Sequence, residues 1–341
     1  MRKYEVIGLM YTRSCPLACA HCITESSPQV KERMRLQHAR TYVQAIARFG
    51  SMLCFTGGEP FLYHREVATL IGEAKSFGLE TSIVTGAGWV RGESRTRARI
   101  AEMVEAGLND LCISWDQYHE AFSSRERAVM LARIATEAGL GVKVRSVISA
   151  TRSSEEDHQA FAGLPVELQT NQIVQLGRAE SLPASHFLFS DEPPKGVCGV
   201  VFSPIVEPDG KVYACCGPSH YSRKPSPLFL GDAAVEPLDD ILQRGLNDPI
   251  LEIIYNLGPY GLYHLLMDEP IGRERFEKRQ TYSGICELCL DITGNPELVQ
   301  VLRERLSGKD AQRLVLASAL WRKERDRAKS VPDANQAPCA P

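Results

Sequence analysis

Between residues 4 and 176 the chain keeps one rhythm. Short apolar runs rich in β-branched residues alternate with amphipathic stretches of helical length. The apolar runs are GLMY, MLCFT, ETSIVT at 80–85, DLCISW at 110–115, GVKVRSVI at 141–148 and QTNQIVQL at 169–176. Helical spacing of apolar residues predicts helices near 36–49, 64–77, 93–106, 125–138 and 154–163. Strands separated by helices pair in parallel through right-handed crossovers. Six such units are too few to close an eight-stranded barrel. The fold class expected is therefore α/β: a partial (β/α)6 TIM-like barrel, open on one side, with its site at the C-terminal strand ends.

After residue 180 the rhythm breaks. SLPASHFLFSDEPPKGVC is Pro-rich and loop-like, and a hairpin is expected at 201–215 around the turn Asp209-Gly210. IIYNLGPYGLYHLLM reads as two short buried helices around a turn, too short and too broken to span a bilayer. Residues 296–328 read as one or two helices, and VPDANQAPCAP as a disordered or draped tail. The expected division is 1–180 for the barrel, 195–295 for a second unit, 296–330 for C-terminal helices and 331–341 for the tail.

The 341 residues carry a formal net charge of -3, which makes no case for general nucleic-acid binding. Arg91, Arg95, Arg97 and Arg99 are read as a solvated helix face. The N-terminal MRKYEVIGLM lacks the small-residue cleavage site of a secretory signal. A cytoplasmic protein with no membrane partner is expected.

Eleven cysteines in a reducing compartment point to metal or catalysis rather than disulfides. Cys15, Cys19 and Cys22 form one group, spaced C-x3-C-x2-C. Cys198, Cys215, Cys286 and Cys289 can form another, with Cys216 as a neighbour of Cys215. Cys54 and Cys112 lie in apolar strands and are read as small buried hydrophobes. Three thiolates do not complete a tetrahedral zinc site. His21 is the alternative fourth ligand, but its place between Cys19 and Cys22 is poor for converging on the same ion. A cubane iron–sulfur cluster accepts three thiolates and leaves one iron open.

The triplet after the first strand, followed by Gly57-Gly58-Glu59-Pro60 after the second, resembles the radical S-adenosylmethionine (SAM) enzymes. The resemblance covers residues 4 to about 290. It implies a 4Fe–4S cluster on Cys15, Cys19 and Cys22 whose open iron binds the amino and carboxylate groups of SAM. One electron then breaks the sulfonium, and the 5′-deoxyadenosyl radical removes a hydrogen atom from substrate. Gly57 and Gly58 permit close backbone approach, and Glu59 pairs with the ammonium group. Ser114 and Asp116 resemble the ribose-contacting position, Arg145 the residue that meets the SAM carboxylate, with a surface ion pair as its alternative, and Leu176 in QLGRA resembles the residue that packs under adenine. Tyr118 and His119 lie beyond a strand end, where substrate is expected; they are candidate catalytic residues, with a polar loop closure as the alternative for each.

Cys198-x11-Gly210-x4-Cys215 resembles the opening of the auxiliary-cluster domain of these enzymes. The full SPASM form continues with more cysteines after a C-x2-C. Here CELC at 286–289 is followed by LDITGNPELV, which matches the truncated twitch form. This implies one auxiliary 4Fe–4S cluster on Cys198, Cys215, Cys286 and Cys289. The glycine spacing favours Cys215 over Cys216, and a four-cysteine zinc site is the alternative. Cys216 is either idle or a hydrogen-atom donor. Cys339 has no assigned part.

The resemblance implies an oxidoreductase-like radical enzyme that modifies a ribosomally made peptide in natural-product biosynthesis. The alternative is a dehydrogenase or decarboxylase acting on a small sugar- or nucleoside-like antibiotic precursor. A reducing partner such as flavodoxin or ferredoxin is implied. No separate leader-binding unit precedes Cys15, so a leader-peptide-binding partner is expected to present a peptide substrate.

Overall fold

A computed structural model describes residues 3–222 and 226–330. The tail and Cys339 lie outside the described residues. The first six strands are β1 (Tyr4–Thr12), β2 (Gly50–Gly57), β3 (Glu80–Thr85), β4 (Asp110–Ser114), β5 (Gly141–Ile148) and β6 (Glu167–Gln172). Between them run α1 (Leu36–Phe49), α2 (His64–Ser76), α3 (Glu93–Ala106), α4 (Gln117–Glu120), α5 (Arg125–Glu137) and α6 (Glu155–Gln159). All six strands are parallel and lie in sequence order, so each crossover joins neighbours. Among the described residues β6 pairs only with β5, and the barrel stays open.

Register explains the two faces. Phe55, Ile83, Leu111 and Val142 align across four strands, with Ile113 beside Val144; all six are buried against the helices. Side chains alternate along a strand, so Cys54, Ser82, Cys112, Lys143 and Arg145 fall on the opposite, lumenal face. Cys112 is buried there, whereas Cys54 is half-buried rather than packed in the apolar core.

The chain then returns beside β1. Strand β7 (Ile205–Val206) pairs in parallel with β1, and β8 (Lys211–Tyr213) and β9 (Phe229–Asp232) continue antiparallel. The expected hairpin therefore extends the barrel sheet. Helices α7 (Leu238–Leu246), α8 (Pro249–Leu257), α9 (Pro259–Met267), α10 (Pro270–Phe276), α11 (Ile285–Thr293), α12 (Pro296–Arg305) and α13 (Lys309–Ser330) follow. α8 packs on α9 and α13, and α9 on α11. Arg97 of the basic cluster pairs with Glu93 and Glu137 on the helix surface.

Three details differ from expectation. The helix expected at 154–163 is shorter: after Gln159 the bonds tighten to i→i+3, which seats Phe161 in the core against Trp115. β6 ends at Gln172 because the chain turns toward the cysteine loop. The single turn α4 was not expected; the Asp116 side chain caps it by accepting from Tyr118 N at 2.9 Å.

Candidate active site

The cysteine loop and the Gly57–Glu59 segment lie edge to edge. Gly58 N donates to Thr12 O at 2.7 Å and Glu59 N to Ser14 O at 2.9 Å. Gly57 has φ +114°, and a Cβ there would stand 2.4 Å from Thr12 O; at Gly58 it would stand 2.2 Å from Ser14 O. The close approach that these glycines permit is thus to the loop's own backbone. Cys22 N donates to Cys19 O at 3.1 Å, closing a turn between those two cysteines, and Cys15 N donates to Ser27 O at 3.2 Å.

Cys19 is buried, while Cys15 and Cys22 are half-buried. Burial pushes the Cys15 thiol well above its ordinary range, and Glu59, Cys19 and Cys22 add to the shift. Thiols crowded with a carboxylate resist ionisation. A cationic iron–sulfur core relieves that repulsion, so the donor set fits such a group. His21 turns away from the thiols. Its Nε2 lies 3.5 Å from Asp116 Oδ2, and its ring stacks on Tyr118.

Glu59 is fully buried. Its Oε2 accepts from Thr85 Oγ1 at 2.7 Å and its Oε1 from Phe61 N at 3.2 Å. Burial raises the carboxyl to about 7, against the lowering effect of Thr85 and the Phe61 and Gly86 amides. Among the described residues no Lys or Arg forms an ion pair with it. Arg99 acts on it only from a distance, and a buried carboxyl with fixed donors and no cation in contact is suited to receive an ammonium group.

Ser114 and Arg145 are paired across β4 and β5, and Arg145 is exposed, donating to Gln169 Oε1 at 2.9 Å. Asp116 is fully buried. Its oxygens accept from Tyr118 N, His119 Nδ1 at 2.9 Å and Val147 N at 3.2 Å, and the His21 ring stands 3.5 Å from Oδ2 without a hydrogen bond. A carboxylate has about four lone-pair sites, so the three donors leave Oδ2, which takes only Val147 N, with room for one more. Burial opposes the charge on Asp116, but His119 and His21 outweigh it and hold the carboxyl at about 2. Tyr118 and His119 are buried too: Tyr118 Oη hydrogen-bonds His186 Nδ1 at 2.8 Å. Leu176 is half-buried just before the turn that returns to the cysteine loop.

The second group assembles from three segments. Burial raises Cys198, Cys286 and Cys289, and each is pushed further by its neighbours: Cys198 by Cys215, Cys286 by Cys215, Cys198 and Cys216, Cys289 by Cys198, Cys215 and Cys286. These four thiols share a pocket. Cys215 is buried and Cys216 exposed. The walls around Cys216 push its thiol up to about 12, with Cys215, Cys54 and Arg145 as its electrostatic neighbours. Cys216 therefore lies between the second cysteine group and the lumenal side chains of Cys54 and Arg145. Thr85, Arg178, His220 and Tyr221 also build this region and were not singled out by sequence. Their signal was weak, because each acts on backbone carbonyls or on another side chain far along the chain.

Residues 9–159, from β1 through α6, match the Radical SAM superfamily. They form a radical SAM domain, whose family carries SAM and a 4Fe–4S cluster. YydG of Bacillus subtilis strain 168, a protein assigned by name to peptide biosynthesis, is 20% identical over 303 residues, covering 86% of this chain and 94% of YydG. The PqqA peptide cyclase of Bradyrhizobium diazoefficiens is 29% identical over 122 residues, 34% of this chain and 30% of the cyclase. The solved structure of anSMEcpe with bound AdoMet has the same fold, with a TM-score of 0.50 and 13% identity over 71% of this chain and 82% of that one. Among the described residues no helix is long and apolar enough to cross a membrane.

Proposed function

We propose that this protein is a radical SAM enzyme that modifies a ribosomally made peptide. The observation that carries this reading is the YydG match, which covers 86% of this chain and 94% of YydG. When bound, the cluster of the cysteine loop supplies the electron that splits SAM into methionine and the 5′-deoxyadenosyl radical. Cys15, Cys19 and Cys22 hold that cluster. Glu59 takes the SAM ammonium, Arg145 its carboxylate, Ser114 the ribose and Leu176 the adenine, while Gly57 and Gly58 keep the loop in place. Asp116 anchors His119 through Oδ1 and is the second ribose candidate through Oδ2.

Cys198, Cys215, Cys286 and Cys289 hold an auxiliary cluster. Zinc with bonds of about 2.3 Å draws four sulfurs to within about 3.8 Å of each other. Among the described residues the one group of such side chains close enough to share a single ion is His21, Asp116 and His119, which contains no cysteine, and this favours the wider cluster. Cys216, exposed and protonated at neutral pH, is the candidate hydrogen-atom donor to the substrate radical. The barrel at 1–180 and a second unit at 195–295 carry the two clusters, with C-terminal helices at 296–330 beside them. A flavodoxin- or ferredoxin-like protein supplies electrons in the cytoplasm, and a partner protein presents the peptide leader.

The test is anaerobic reconstitution with iron and sulfide, then dithionite, SAM and a short peptide encoded beside the gene. A mass change in the peptide together with 5′-deoxyadenosine is expected. A loaded protein that makes no 5′-deoxyadenosine defeats the reading, and turnover of a sugar or nucleoside with the peptide left untouched replaces it by the small-molecule alternative.

A further inference from the structure

The cysteine loop has no helix or strand of its own, so its carbonyls depend on donors from elsewhere. Arg178 supplies three of them. Its Nε donates to Cys19 O at 2.9 Å, its guanidinium NH2 to Ser26 O at 2.7 Å, and its backbone N–H to Cys22 O at 3.3 Å. Cys19 O is the same oxygen that closes the Cys19–Cys22 turn. Gly177, at φ +61°, makes the approach feasible: a Cβ there would lie 2.8 Å from Cys22 O and 2.5 Å from Tyr221 Oη.

The next carbonyl is held from the other side. His220 Nε2 lies 2.8 Å from Ile23 O, and Tyr221 Oη donates to the same oxygen at 2.5 Å. Both residues belong to a short 3-10 turn, Pro218–Tyr221, whose Ser219 Oγ donates to Cys215 O at 2.6 Å. The turn that grips the first cysteine loop is therefore fastened to the second cysteine group.

We propose that Arg178 is a positioning residue for the iron–sulfur loop, with His220 and Tyr221 as its counterpart. Together they fix the carbonyls of Cys19, Cys22, Ile23 and Ser26, and so the spacing of the thiols. This rests on the reading that Cys15, Cys19 and Cys22 hold a cluster. Arg178 has a second effect. A fixed cation beside the loop stabilises the more negative, reduced cluster and raises its potential. Arginine suits both tasks, because its planar fork reaches two carbonyls and always carries charge.

The experiment compares wild type, Arg178→Gln, Arg178→Lys and Tyr221→Phe after anaerobic reconstitution. Iron content, the SAM-induced shift of the reduced EPR signal and the midpoint potential are measured, with circular dichroism as the fold check. The SAM-induced shift isolates this cluster from the second one. Arg178→Gln is expected to alter the shifted signal and make the potential more negative. Arg178→Lys is expected to recover the potential but not the signal, since it keeps the charge without the fork. Tyr221→Phe is expected to alter the signal alone. An Arg178→Gln protein with wild-type signal and potential overturns the proposal. If that variant does not fold, a wild-type signal in Tyr221→Phe overturns it instead. A Lys variant that fails to recover the potential contradicts the charge effect. Wild-type protein that takes up no iron brings down the cluster reading and the clasp with it, whereas normal loading with indistinguishable variants brings down the clasp alone.

Discussion

Glu59 accepts a 2.7 Å hydrogen bond from Thr85 Oγ1, joining the ends of β2 and β3 beside the cysteine loop. Thr85 Oγ1 in turn accepts from Trp89 Nε1 at 3.1 Å. The carboxyl is thus held in one orientation, with Arg99 acting on it but no ion pair in contact. Replacing it by Gln keeps the shape and removes the charge. We expect Glu59→Gln to weaken SAM binding by about 10- to 100-fold, on the order of 1.4 to 2.8 kcal/mol. Because burial puts the carboxyl at about 7, wild-type affinity should rise between pH 6 and 7.5 as the group ionises, and the variant should lose that rise. Equilibrium binding of SAM to reconstituted protein measures both. An unchanged affinity in the variant removes Glu59 from the ammonium site.

The two cysteine groups should separate in mutants. Cys19→Ala is expected to abolish 5′-deoxyadenosine formation. Cys286→Ala should spare SAM cleavage, stop net turnover and lower bound iron by about four per chain. Iron analysis and product chromatography check these outcomes. Full turnover by the Cys286 variant would falsify the auxiliary assignment.

Cys216 is exposed while its neighbour Cys215 is buried. A hydrogen-atom donor must carry its hydrogen, and a thiol pushed up to about 12 does so at neutral pH. With Cys216→Ala we expect SAM cleavage to continue and product to fall by at least about tenfold, a barrier change of about 1.4 kcal/mol. In deuterated water the wild type should place deuterium on the product carbon. Normal product from the alanine variant would make Cys216 an idle neighbour.

Glu207 is 5% exposed, with Oε1 buried and unpartnered. Burial raises its carboxyl to about 7. In the unfolded chain the group ionises near its ordinary value of about 4.3. Between those two values the native state holds a proton that the unfolded state has lost, so stability falls as pH rises through this window. Above about pH 7 the full cost, up to about 4 kcal/mol, remains. Glu207→Gln should flatten this fall and be the more stable protein at pH 8. Urea unfolding of the apoprotein at several pH values measures it, and parallel curves for both proteins would refute the account.

Much of the barrel was legible. ETSIVT, the helix at 93–106 and GVKVRSVI fall where period and punctuation put them, because each carries its own pattern of buried residues. The stretches that missed were those whose conformation serves a distant contact. DHQAFAG reads as helix but tightens to bury Phe161, and QTNQIVQL leaves the sheet early so that Gly177 and Arg178 can reach the cysteine loop. WDQYHE carried no pattern that revealed a turn, because the decisive group is the Asp116 side chain folding back on Tyr118 N.

The sequence by itself determined the parallel barrel, the two thiol groups and the placing of Gly57–Glu59 at a strand end, since these follow from period, spacing and residue chemistry within short windows. Only the tertiary structure decided what each polar group faces. It gave Asp116 to His119, tied Glu59 to Thr85, set Cys216 beside the second cysteine group and brought Arg178 to the carbonyls of Cys19 and Ser26, residues 159 and 152 positions away. Such pairings are set by how crossovers stack strand ends above one another. A linear pattern of residues does not encode that distance.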